Sequence, residues 1–332
     1  MEKEIYLNQY PKIIEIETTI NCPINPPCIM CDKARIKNKI FRSLLSKKDI
    51  SDDIIEKLKP LLLNAEWVSL HGIGEPIACK KLFKIIELIN PNAQISFNSN
   101  GLLLDKEKIN LILKSNIKYI SFSIDASTKE TYSKIRLDAF EKVINNISNL
   151  INERNSRNKK YPSVIINMTL MKENYKEVID FAKLAIKIKA DGIQFCPVKV
   201  DSIKENRRKD FIFRIEEQKL DSYIKEVREY LKKTRELAEK NKLFFFVYGI
   251  NLENKGNYFN SLLKDCDAPW NRIIIFLRGE VKFCCFSSET LGNLKEQSFN
   301  DVWNSKKAME IRSNLINGIV PQNCKCGKSM PY

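Results

Sequence analysis

Three thiols stand close together near the amino end, Cys22, Cys28 and Cys31, on a loop stiffened by Pro23, Pro26 and Pro27 and free of histidine. Thiolates so spaced bind soft or borderline metals. A four-iron cluster has four iron corners, so a loop with three thiolates leaves one iron open to a ligand that is not protein, just as a catalytic zinc keeps an open position. A zinc knuckle or a set of packed thiols would use the same residues, and the loop alone does not choose among them. A second group lies near the other end: Cys266, Cys284, Cys285, Cys324 and Cys326. Cys266-x12-Gly279-x4-Cys284 puts one thiol before an Arg278-Gly279 hairpin turn and another after its return strand. A structural zinc site of four thiolates is the alternative there. Cys79 and Cys196 read as packed thiols, Cys196 standing at a strand end that faces a site.

These residues must be held by a fold, and composition bounds it. A chain of 332 residues has length for about two domains. Met1-Glu-Lys-Glu-Ile carries charge where a signal peptide needs an apolar block, and no run approaches the ~20 apolar residues of a membrane span. The expected location is the cytoplasm, with no membrane partner, where clustered thiols hold metal or do redox work rather than pair as disulfides. The formal charge of +15 comes from lysine spread along the chain. Its densest patch, Lys204 to Lys209, is short and interrupted by Glu205, so no nucleic-acid partner is expected. His71 is the sole histidine, and no motif supplies a nucleophile to make a hydrolase of it.

Apolar, β-branched runs at residues 13–19, 66–70, 94–98, 119–124, 164–170 and 192–195 alternate with helical periods at 49–63, 80–89, 105–114, 140–152 and 174–189. Ser51, Asp52 and Asp53 are cap candidates for the first helix. Alternation of this kind builds successive β-α units on a parallel sheet, six by residue 200, and puts active residues on the loops after the strands' carboxyl ends. Residues 199–242 then interrupt the repeat with a charged, helix-rich insert, and 243–247 return to strand character. The division is 1–200, a linking segment 201–264, and 265–332. Gly72-Ile73-Gly74-Glu75-Pro76 follows the second strand; it lacks the helix and spacing of a dinucleotide fingerprint and reads equally as a turn. Arg136 can grip a carboxylate with two parallel hydrogen bonds or form a surface ion pair. Asn167 is polar in mid-strand and can pair with backbone or face a ligand.

In this order the motifs resemble those of radical S-adenosylmethionine (SAM) enzymes. Cys22-x5-Cys28-x2-Cys31 is similar to their cluster loop, two residues longer between the first pair than the commonest form and with Met30 where an aromatic is frequent. The resemblance implies a partial (β/α)6 TIM-like barrel, a SAM-binding 4Fe-4S cluster on those cysteines, and reductive cleavage of SAM to a 5′-deoxyadenosyl radical. Gly74 and Glu75 resemble the motif that receives the SAM amino group, and Asn98-Ser99-Asn100-Gly101 resembles the turn after strand three, with Asn98 as its cofactor residue. In the block from Ser121 to Arg136, Ser123 takes the place of a ribose contact and Arg136 that of the SAM carboxylate's partner, while Asn167 is a further ribose candidate.

The end of the chain, with Leu291-Gly-Asn-Leu294 and Val302-Trp-Asn-Ser305, resembles the SPASM/twitch auxiliary cluster domain, a β-hairpin plus helix. That implies an auxiliary 4Fe-4S cluster on Cys266, Cys284, Cys324 and Cys326, with Cys285 spare, although Cys-x-Cys replaces the pattern's Cys-x2-Cys. The implied function is an oxidoreductase that takes hydrogen from a small carbohydrate- or cyclitol-like molecule, served by a flavodoxin- or ferredoxin-type electron donor. Peptide maturation is the alternative within enzymes; RNA modification and plain electron carriage are the alternatives outside that reading.

Overall fold

The computed structural model describes residues 3–31, 49–198, 215–252, 266–285 and 287–321. The chain divides into two compact units. One gathers residues 1–21, 48–96 and 255–331, and the other residues 22–47 and 97–254.

In the first unit β1 (Ile13–Glu17) pairs in parallel with β2 (Trp67–His71) on one side and with β8 (Arg272–Ile275) on the other. β8 turns back through β9 (Glu280–Lys282) to β10 (Gly292–Asn293), both pairings antiparallel. Burial alternates along β1 and β2 with the period of two that a sheet imposes: Ile14, Ile16, Val68 and Leu70 are fully buried, while Ile13, Glu15, Trp67, Ser69 and His71 are half-buried. Ile273 and Ile275 extend the packed face onto β8. Helix α1 (Asp52–Asn64) buries Ile54, Ile55, Leu58, Leu61 and Leu62, a single stripe at helical spacing. Ser51 stands at its N-cap but makes no side-chain capping bond; Asp52 and Asp53 in the first turn favour the helix dipole instead. The short helix α2 (Leu82–Glu87) follows β2, and β3 (Gln94–Ser99) begins in this unit.

In the second unit β4 (Ile117–Ser123), β5 (Ser163–Leu170), β6 (Gly192–Pro197) and β7 (Phe244–Val247) run parallel in that order. Helices α3 (Lys106–Lys114), α5 (Phe140–Ser156) and α6 (Val178–Lys187) fall where the periodicity puts them, within a few residues. Two features differ from the sequence reading. A short helix, α4 (Lys129–Ile135), forms where only a motif was visible. Its seven residues give too few turns for a periodic signal, but Thr128 caps it through Thr131 N at 3.3 Å. The segment read as an interruption also carries the repeat onward: α7 (Ile224–Lys240) is the crossover from β6 to β7. Its charged residues hid a buried stripe of Val227, Leu231, Thr234 and Ala238.

No helix among the described residues is long and apolar enough to cross a membrane.

Candidate active site

The cysteine loop enters the second unit with its spacer residues as anchors. Ile29 packs with Ile135, Met171 and Val198, and Met30 lies against that cluster. Ile29 N donates to Ile135 O at 3.1 Å, and Cys31 N donates to Cys28 O at 2.9 Å, closing the turn between the second and third thiols. Two side-chain donors point at sulfur: Asn100 Nδ2 lies 3.6 Å from Cys22 Sγ, and Arg136 Nη1 lies 3.5 Å from Cys28 Sγ. Burial pushes the Cys28 thiol up to about 11; Cys31, Asp125 and Cys22 push the same way and Arg136 opposes them. Three thiols crowded in a poorly solvated place resist becoming bare thiolates, and a bound cation removes that penalty. No three His, Cys, Asp or Glu among the described residues are grouped to hold a single ion. Three thiolates match three corners of a four-iron cluster and leave the fourth to another ligand.

Arg136 is brought to this loop by α4, of which it is the C-cap. Glu177 fastens the other end of that helix, accepting from Ser127 N at 2.6 Å, from Ser127 Oγ at 2.8 Å and from Thr131 Oγ1. Arg136 gives two donors to Asp125 Oδ2, Nε at 2.8 Å and Nη2 at 2.5 Å. Asp125 is fully buried with φ +64°, and its Oδ1 accepts from Thr169 N at 2.6 Å while its carbonyl accepts from Asn174 Nδ2 at 2.8 Å. Burial works against the Arg136 charge, but Asp125, Cys28 and Tyr132 outweigh it and hold the guanidinium above its ordinary range. The arginine is thus clamped by a buried carboxylate and reaches a cluster-loop sulfur with its remaining arm.

Register joins two candidates that sequence could only name separately. Ser123 sits opposite Asn167, and Asn167 opposite Gln194, so the three form a half-buried polar row across β4, β5 and β6. Asn167 Oδ1 is buried with no hydrogen-bond partner. An orphaned buried acceptor is costly, and a ligand hydroxyl would satisfy it. Asn98 is exposed, whereas Asn100, two residues on in the same turn, is buried and takes up the sulfur contact. Asn100 and Asp125 are the residues sequence reasoning passed over. The Asn-Gly pair was the available signal for the first, and the left-handed backbone of the second had none.

In the first unit the Gly72-to-Pro76 loop is built on close approaches. A Cβ on Gly74 would fall 2.2 Å from Thr19 O, and one on Gly72, at φ +148°, would fall 2.4 Å from Glu17 Cγ. Glu75 is buried; its N donates to Asn21 O at 2.6 Å and its Oε1 accepts from Ile77 N at 3.2 Å. Glu17, also buried, accepts from Ile73 N and Leu277 N, each at 3.1 Å, tying the loop to the chain after β8. His71 Nε2 meets Glu15 Oε2 at 2.7 Å.

The carboxyl-terminal group is partly in view. Cys266 and Cys284 are half-buried and Cys285 is exposed, while Cys324 and Cys326 lie outside the described residues. Burial raises the Cys266 thiol; a backbone hydrogen bond at Ala268 lowers it and the charge of Cys284 raises it. The hairpin turn has Gly279 at φ +91°. Two motif residues prove to be braces. Asn304 holds Leu7 N and O at 2.8 and 2.9 Å, and Trp303 is buried beneath the Arg312 guanidinium, whose Cζ stands 4.5 Å from the ring centre.

With this arrangement, the chain belongs to the radical SAM superfamily, whose family model matches residues 16–185; residues 266–327 match the SPASM iron–sulfur cluster-binding domain. It is a mixed α/β radical SAM enzyme with a parallel-strand sheet, and its cofactors are SAM, the 4Fe-4S cluster of the first region and auxiliary 4Fe-4S iron in the second. The AdoMet-dependent heme synthase of Methanosarcina barkeri is 24% identical over 315 residues, covering 90% of this chain and 84% of that protein. Streptococcus suis SuiB bound to S-adenosylmethionine shares the fold with a TM-score of 0.65 at 17% identity, over 92% of this chain and 68% of SuiB. anSMEcpe with bound AdoMet gives 0.60 at 18% identity, over 92% and 84%.

Proposed function

We propose that this radical SAM enzyme is an oxidoreductase that removes hydrogen from a small-molecule metabolite, an alcohol of a carbohydrate or cyclitol being the expected class. When bound, the 4Fe-4S cluster and SAM supply a 5′-deoxyadenosyl radical that takes a hydrogen atom from the substrate. The protein's own part is to bind and orient. Cys22, Cys28 and Cys31 hold iron, while Asn100 and Arg136 hydrogen-bond to sulfur. Ser123 and Asn167 receive the ribose, Gly74 and Glu75 the amino group, and Arg136, steadied by Asp125, the carboxylate. Asn98, being exposed, is the weakest of the cofactor residues. Cys266, Cys284, Cys324 and Cys326 make a complete thiolate set, which suits the iron they hold to carrying an electron. In this scheme residues 1–200 carry the radical chemistry, 201–264 link and 265–332 hold the auxiliary cluster, with a flavodoxin- or ferredoxin-type protein delivering electrons in the cytoplasm.

Two observations carry the cofactor reading: the pair of donors aimed at Cys22 and Cys28 sulfur, and the orphaned buried acceptor on Asn167. The small-molecule reading is supported by a relative named for making heme, aligned over 90% of the chain. A second reading, oxidation or crosslinking of a peptide, draws on the fold shared with SuiB, which has also been seen bound to its precursor peptide SuiA. Anaerobic reconstitution followed by SAM, reductant and a cell extract split by size separates them. Substrate-dependent 5′-deoxyadenosine should follow the low-mass fraction. If it follows the peptide fraction, the metabolite reading falls; if no fraction raises it and SAM stays intact, the oxidoreductase reading falls.

A further inference from the structure

Arg312, on the helix Lys306–Ile316, is fully enclosed in a way its neighbours do not balance. Its guanidinium lies over two rings, 4.5 Å from the centre of Trp303 and 5.3 Å from that of Phe283, which themselves meet edge to face. Its hydrogen bonds all go to neutral acceptors: Nε donates to Pro269 O at 2.9 Å, and Nη1 to Ile5 O at 3.0 Å and to Asn304 Oδ1 at 3.4 Å. Nη2 is buried with no partner. Burial alone acts on its pKa, pushing it down to about 10, with no acid among the described residues to oppose it. Asp267, the acid closest in sequence to Pro269, is exposed. Arg136 and Arg154, whose side chains are enclosed too, each face a carboxylate, Asp125 and Asp191. Buried charges are paired or stand against a metal centre, because one left alone is strongly unfavourable. Arg312 therefore calls for an anion that is not a side-chain carboxylate.

Its surroundings name one. Pro269 lies three residues beyond Cys266, Phe283 immediately precedes Cys284, and the chain leaving the Arg312 helix leads to Cys324 and Cys326. The guanidinium is thus fixed by the backbone and ring that flank the two described cysteines of the iron–sulfur domain. A 4Fe-4S cluster on four thiolates is a net anion and gains a further negative charge on reduction, so net charge around it sets its potential. A fixed positive charge in a poorly solvated place favours the more negative state. We infer that Arg312 is the counter-charge of the auxiliary cluster and holds its reduction potential up, acting through its field and not as a ligand. The inference rests on the reading of Cys266, Cys284, Cys324 and Cys326 as the auxiliary ligands.

The test uses the full chain carrying Cys22→Ala, Cys28→Ala and Cys31→Ala, which keeps the auxiliary thiols alone for iron. This parent is reconstituted anaerobically, its iron and sulfide are counted, and it is titrated with dithionite and redox mediators under EPR. Arg312→Met and Arg312→Gln remove the charge, the second leaving an amide donor in place, while Arg312→Lys keeps the charge and loses the fork of donors. At the potential where the parent is half reduced, the ratio of reduced to oxidised cluster should fall by at least about threefold in the two neutral variants, and stay within about twofold in Arg312→Lys. A residue that merely braces the fold gives another pattern. Lysine cannot reproduce the bonds to Pro269, Ile5 and Asn304, so it would then disturb the cluster as much as methionine does. The inference is overturned if the neutral variants titrate as the parent does, or if Arg312→Lys moves as far as they do. Should the neutral variants hold no cluster, its retention by Arg312→Lys supports the charge and its loss there overturns the inference. A parent that takes up no iron removes the reading of the auxiliary ligands and the inference with it, whereas a loaded parent with unmoved variants removes the inference alone.

Discussion

Replacing Asp125 by Asn tests the clamp on Arg136 in isolation. Asn tolerates a left-handed backbone as Asp does, so φ +64° adds no new strain. The substitution instead removes the charge facing a guanidinium whose side chain is only 8% exposed, and it puts an amide where two N–H donors and the Thr169 amide now converge. Breaking a buried ion pair from one side costs about 3–5 kcal/mol, because the remaining charge has neither water nor partner. At roughly 2–4 °C per kcal/mol for a chain approaching this size, that is a fall in melting temperature on the order of 10 °C. The assay is urea unfolding of Asp125→Asn, Arg136→Met and the double variant, all handled anaerobically in the metal-free form so that cluster loading does not enter. Each single variant should lose several kcal/mol, and the double should lose at least about 2 kcal/mol less than the singles combined. If the losses add to within ~0.5 kcal/mol, the two side chains are not an energetic pair and the account of how Arg136 is held is wrong.

Asn100→Ala removes a donor to Cys22 sulfur; hydrogen bonds to cluster sulfurs raise the potential, so the SAM-binding cluster should become harder to reduce by roughly a few tens of millivolts in an EPR-monitored titration. Gly74→Ala forces a Cβ to within 2.2 Å of Thr19 O, and the loop must move; SAM affinity in equilibrium dialysis should fall by on the order of 100-fold while the circular dichroism spectrum stays unchanged. Burial first of all pushes the Cys79 thiol from 9.0 up to about 11. At a pH below it, a raised thiol pKa lowers the thiolate fraction below that of an unperturbed thiol, so at pH 8 Cys79 should alkylate on the order of 100-fold more slowly than a thiol titrating near 9, and the gap should close as pH rises through 11. Mass spectrometry of iodoacetamide-treated protein, with exposed Cys285 as the internal reference, reads this out.

The parallel α/β repeat was legible because β-branched runs and helical periods reach fully buried positions, such as Ile14 and Ile16 on β1 or Leu58 and Leu62 on α1. The helical period over residues 220–242 was legible as well, but the role of α7 as a crossover that continues the repeat was not, because long polar side chains outnumber the few residues it buries. Motif residues were legible as types but not as partnerships. Arg136 stood out, yet nothing in the order of residues says that Asp125 turns back to hold it or that its Nη1 reaches Cys28. Likewise Asn98 and Asn100 look equivalent in Asn-Ser-Asn-Gly, and an unbroken strand would put both on one face; only because β3 ends at Ser99 does Asn100 turn in while Asn98 stays exposed. Trp303 and Asn304, prominent in the chain as a motif, turn out to secure the amino-terminal segment.

The parallel pairing of β1 with β8 joins Ile13 to Arg272, strands far apart in the sequence. During synthesis at ~5–20 residues per second, the first strand made therefore waits roughly ten to fifty seconds for the neighbour that completes its edge. Until the ribosome has delivered that neighbour, a row of unpaired amides and carbonyls is open to strands of other nascent chains.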